Sequence, residues 1–123
     1  MRGIAEYKTV DVESASREQL VVMLMEAAIR RQHQAIAAIE AENSEEGRAH
    51  LQRAREIYAE LAGSLDHAVQ PEMCNNLHRL YSWCIAELGR ASRECDSSVI
   101  STTIKVSQVL YEAWEHVAEQ AGQ

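Results

Sequence analysis

Five histidines, nineteen carboxylates and three cysteines are the side chains of this chain that could hold a metal or move a proton. Their spacing supports neither. A di-metal carboxylate bundle needs Glu-x-x-His on two helices, because that spacing points both ligands inward on one face, and no such pair occurs. Glu46 with His50, and Glu112 with His116, are separated by four residues among polar neighbours, the pattern of solvated pairs. His33, His67 and His78 stand without a partner cluster. Cys74, Cys84 and Cys95 are an odd number without Cys-x-x-Cys, which matches neither a disulfide framework nor a zinc site. If Pro71 to Cys95 is one helix, Cys84 and Cys95 lie about 16 Å apart along it, beyond disulfide reach. They read as reduced core residues of a cytoplasmic protein. A Gly-rich phosphate loop and a Gly-x-Ser-x-Gly elbow are also lacking. The sequence therefore points away from catalysis, and no metal or cofactor is expected.

Positioning elements are read from composition and period. A chain of 123 residues suits one domain. One proline and five glycines are few punctuators for a β protein. The net charge of −7, with basic residues scattered, argues against nucleic acid and anionic membranes as partners. No apolar run reaches the ~18 residues of a membrane span, and a signal peptide's apolar core is lacking at the N-terminus. Residues 1–15 read as an arm and 16–119 as an all-α domain of four helices, about 16–42, 45–66, 71–95 and 97–119. Short connections make neighbours antiparallel, which predicts an up-and-down four-helix bundle.

The first helix opens on a capping box, Ser16 with Gln19. Leu20, Leu24, Ala28, Ala35, Ala38 and Ile39 form a core stripe, interrupted by Arg31, and Val22, Met25, Ile29 and Ile36 form a second line. Leu51, Ala54, Tyr58, Leu61, Ala62 and Leu65 face inward from the second helix, where Gly63 is tolerable if a neighbour packs closely. Pro71 starts the third, whose apolar face is Met73, Leu77, Leu80, Tyr81, Cys84, Leu88, Ala91 and Cys95. Trp83 falls off that stripe, to lie on a neighbouring helix or to meet a partner. In the fourth, Val99, Thr103, Val106, Leu110, Ala113 and Val117 share one face, with Ile100, Ile104 and Tyr111 on a second line. The β-branched run 99–106 could pass for a strand, but helical spacing continues through it and no second strand is available to pair. Spare apolar lines suit a bound helix or peptide; a homodimer or wide buried faces would explain them equally well.

Several stretches, in order, resemble a known family. They are Gly3-Ile4-Ala5-Glu6-Tyr7, the run from Ser14 through Leu20 to Met23-Leu24, Ser64-Leu65-Asp66, Asn76-Leu77-His78-Arg79-Leu80-Tyr81 and Ala113-Trp114. Together they are similar to the arm tyrosine, helix opening, second-helix exit, Asn-Leu-x-x-Leu-Tyr signature and closing tryptophan of the flagellar export chaperones called FliS. Arg17 stands where the family usually has proline. The resemblance implies a cytoplasmic chaperone that binds the C-terminal segment of flagellin, keeps it from polymerising and helps deliver it to the export gate, without nucleotide. On that footing the partner-binding candidates are Ile4, Tyr7, Val22, Met25, Ile29, Ile36, Trp83, Ile100, Ile104 and Tyr111, with Ile4 and Tyr7 covering part of the surface when the client is absent. Another export substrate or a regulator as client, or weak self-association, are the alternatives.

Overall fold

The computed structural model describes residues 15–121, and within them the chain is all-α. Helix α1 runs Arg17–Glu40, α2 Ser44–Gly63, α3 Pro71–Glu94 and α4 Ser97–Ala121. The capping box at Ser16 is formed: Gln19 N–H donates to Ser16 Oγ at 3.1 Å and Ser16 N–H to Gln19 Oε1 at 2.7 Å. Asn43 caps α2 by accepting from Glu46 N–H at 3.2 Å. Pro71 occupies the first turn of α3, where its missing N–H costs nothing. That helix stops at Cys95, whose left-handed backbone at φ 52° ends the repeat. The β-branched run after Asp96 is helical throughout, as its spacing required.

Each helix packs against two neighbours: α1 against α2 and α4, α3 against α2 and α4, with α3–α4 the thinnest pairing. This is a four-helix ring in up-and-down order. Gly47 lets α2 approach α1, since a Cβ there would come within 2.9 Å of Ile39 Cγ1. Gly63 has a different basis from the one expected. It closes α2, and a Cβ there would meet no neighbour within 4 Å.

At mid-height the core is polar. Gln32 of α1 is fully buried and donates from Nε2 to Ala28 O at 3.0 Å and to Tyr58 OH at 2.8 Å. Tyr58 of α2 shares a short hydrogen bond with Ser107 of α4. Thr103 Oγ1, also on α4, lies 2.5 Å from Gln32 Oε1 and 2.8 Å from Ile100 O, with one proton for the two acceptors. Cys84 of α3 completes the layer at zero exposure. Burial is the main reason its thiol is pushed up to about 11; Ser107 and Tyr58 pull the other way and the charge of Glu87 adds to the rise. Burial likewise holds the Tyr58 hydroxyl well above its ordinary value.

Two outcomes follow from this packing. Gly47→Ala lowers stability despite the better helix propensity, by roughly 1 kcal/mol, while Gly63→Ala is neutral or stabilises by up to ~0.5 kcal/mol; urea midpoints at unchanged slope read both. For Cys84, the folded state keeps the thiol proton above pH 9.0, where an ordinary thiol loses it. Its contribution is therefore complete below pH 9.0 and is lost as pH rises through about 11. Cys84→Ala should be less stable than the parent at pH 8, with a gap that narrows by on the order of 1–2 kcal/mol toward alkaline pH; a constant gap would contradict this.

Candidate functional site

The surface opposite α1 and α2 is the seam between α3 and α4, the most thinly packed pair. On its upper part Trp83, Glu87 and Arg90 of α3 face Ser98, Val99 and Thr102 of α4 across a cleft. Arg90 is held there by Glu87, with its Nη2 2.7 Å from Oε2. Asp96, just before α4, accepts from Ser98 N–H at 2.9 Å and from Ser98 Oγ at 2.6 Å, and these bonds keep its carboxyl below the ordinary range. Continuing the helical spacing downward brings Leu80 and Met73 to the α4 side of α3. The same step from Thr102 brings Val106, Val109, Ala113 and Val117 to the α3 side of α4. All of these but Val106 stand open to solvent, the larger ones from 37% exposed at Leu80 to 67% at Val109. The result is an exposed apolar seam, or groove, along the most thinly packed helix pair, of a kind that accepts an amphipathic helix.

Beside its lower end lies a cavity of about 220 Å3. Val21 of α1, Leu61 and Leu65 at the end of α2, and Met73, Cys74 and Leu77 of α3 form its apolar walls. Tyr81 and Trp114 close its inner end, and Trp114 Nε1 donates to Tyr81 OH at 3.3 Å. Arg17 and Glu18 stand at the rim with Ser64 and Asp66. Arg17 does more than begin a helix: its Nη2 donates to Ser64 O at 3.1 Å and ties α1 to the end of α2.

The ten residues singled out in sequence are not gathered in one place. Met25 and Ile100 are fully buried, and Ile29 and Ile104 nearly so, all four within the core. Ile36 is half-buried against that core, and Val22 is also half-buried. Tyr111 faces the α1–α4 seam with Glu26, Arg30, His33 and Gln108, away from the groove, and donates to Glu115 Oε2 at 3.1 Å. Partial burial, then the neighbouring carboxylates Glu115 and Glu26, raise its hydroxyl. Trp83 lies in the groove. Ile4 and Tyr7 fall outside the described residues. Conversely Met73, Leu80, Val106, Ala113 and Val117, read from spacing as inward-facing, form the groove, and Val109 was overlooked. The signal available for Val109 was an apolar residue off both apolar lines of its helix.

No helix among the described residues is long and apolar enough to cross a membrane. Comparison with known proteins gives a consistent picture. A family model described as "Flagellar protein FliS" matches residues 1–121. The "Flagellar secretion chaperone FliS" of Vibrio cholerae is 29% identical over 122 residues, covering 95% of this chain and 90% of the relative. The "Flagellar secretion chaperone FliSB" of Pseudomonas aeruginosa is 27% identical over 122 residues, covering 96% of this chain and 97% of the relative.

Burial separates the two residue sets experimentally. Ile104→Thr should cost roughly 1–3 kcal/mol, since it removes apolar contacts in the core. Val109→Glu and Leu80→Gln should stay within about 0.5 kcal/mol of the parent. Denaturant titration of the three variants checks the order.

Proposed function

The chain belongs to the FliS family of flagellar proteins, and on that premise we propose that it is a flagellar secretion chaperone. Its client is the C-terminal helical segment of flagellin, which it keeps from premature polymerisation and helps deliver to the export apparatus. The observation that supports this reading is the α3–α4 groove, where Leu80 and Met73 on one helix and Val109 and Val117 on the other remain exposed. A client terminus that would otherwise pair with copies of itself carries an apolar face, and a complementary apolar groove masks that face by removing it from water. Part of the binding free energy is lost to ordering the segment, so moderate affinity and easy release go together. Trp83 gives the groove an aromatic anchor of the type that concentrates binding energy.

Calorimetric titration of the full chain with a peptide from the C-terminal region of its own organism's flagellin tests the proposal. The expected result is one-to-one binding with a negative heat-capacity change. Trp83→Ala and Val109→Glu should each weaken it about tenfold or more, which is ~1.4 kcal/mol; Val109→Glu does so with stability nearly unchanged, while Trp83→Ala also loses the packing of its ring against the core. Absence of binding at roughly 100 μM, far above a Kd of about 1 μM and −8 kcal/mol, would send the search to another export substrate or regulator. Sedimentation showing a dimer that Val109→Glu dissociates would assign the groove to self-association instead.

A further inference from the structure

The polar layer divides the bundle into two unequal ends. From the layer toward the α1–α2 turn, helices are cross-tied as well as packed. Arg55 Nε donates to Ile85 O at 3.1 Å and Arg48 Nε to Ser92 O at 3.1 Å, fixing α3 to α2. Leu88, Gly89, Ala91, Val99 and Ile100 are all buried there. The opposite end is built around the cavity of about 220 Å3. On its α1–α2 side the Arg17 bond to Ser64 O holds the helices together. On its α3–α4 side the pairing is the thinnest in the bundle, Met73 and Val117 are exposed, and the hydrogen bond joining the helices is the long one from Trp114 to Tyr81.

We propose that the α3–α4 pair parts at the cavity end as a local unit, with the Trp114–Tyr81 hydrogen bond as its latch and the polar layer as the hinge that stays shut. Carrying α4 outward across the layer would strand Thr103 from Gln32 and Ser107 from Tyr58, and buried groups left unpaired are strongly unfavourable, so α4 is the helix the layer holds. Opening below it breaks one hydrogen bond among the described residues and wets, besides the buried Tyr81, Leu110 and Ala118, side chains already partly in water. Proteins open in such contiguous units, and the unit chosen is the one with fewest buried contacts and weakest ties. The apolar walls of the cavity thus become reachable from the groove without unfolding the chain. The inference rests on packing alone and does not depend on the client.

Native-state hydrogen exchange of the full chain, followed by mass spectrometry, tests it with Tyr81→Phe and Trp114→Phe. Tyr81→Phe removes only the acceptor hydroxyl, and Trp114→Phe removes the donor while keeping a ring. Both should speed exchange in peptides covering residues 73–81 and 110–118 by roughly twofold to tenfold, the range set by one hydrogen bond. Peptides covering 51–58 and 99–107 should be unchanged. Equal acceleration in all four helices would show that the bundle opens as a whole and overturn the proposal, as would no acceleration at the cavity end. Acceleration by Trp114→Phe alone would show that ring packing holds the end closed and overturn the latch. If Tyr81→Phe does not fold, the tyrosine is structural and the latch assignment also falls.

Discussion

The hydroxyl of Tyr58 must be satisfied where no water reaches it, and the bundle is arranged around the way this is done. Gln32 supplies the donor. Its amide orientation is fixed by Ala28 O, which can only accept, so Nε2 must point there and Oε1 is left for the Thr103 hydroxyl. Tyr58 OH and Ser107 Oγ share a hydrogen bond beside the Cys84 thiol. One residue or more from every helix thus meets in a single layer. A slip of one turn, about 5.4 Å, in α1, α2 or α4 would separate these partners and leave several unpaired polar groups in the core. The layer therefore sets helix register, which apolar packing alone specifies loosely.

Long-range arginines do for the helix ends what the layer does for the middle. Helix α2 has no basic residue in its last turn, and its terminal carbonyls need donors. Arg17 of α1 donates to Ser64 O there, placing a cation at the negative end of the helix dipole. Arg48 of α2 acts in the same way near the end of α3, reaching Ser92 O and lying 3.4 Å from Cys95 Sγ. With α1–α2 and α2–α3 fastened by such bonds and α1–α4 joined through Gln32 and Thr103, the remaining flank, α3–α4, is the side on which Met73, Leu80, Val109 and Val117 stay open. The apolar residues left open lie where the helices pack least against one another.

Much of this was written in the chain. The capping box at Ser16, the break before Pro71 and the helical spacing through the β-branched run fixed four helices, because these signals depend on residues within a few positions of one another. Short connections fixed the up-and-down order for the same local reason. The family was legible as well, since its motifs are spread along the whole length.

Which apolar line faces inward was decided only in three dimensions. In α4 the two lines, one through Val106, Ala113 and Val117 and the other through Ile100 and Ile104, flank a buried centre of Thr103 and Ser107; Thr103 lies on the face that spacing predicts to point inward, whereas Ser107 is a polar residue off both apolar lines. In α1 Gln32 lies in the same way between two apolar lines that reach α4 and α2. A polar side chain can occupy the centre of a core only when its partners arrive from other helices, and those partners are 26 to 71 residues away in sequence. The chain by itself determined the helices, their order and their kinship; the tertiary structure determined which face of each is core and which is groove, because hydrogen bonds between distant residues outweighed the local apolar pattern.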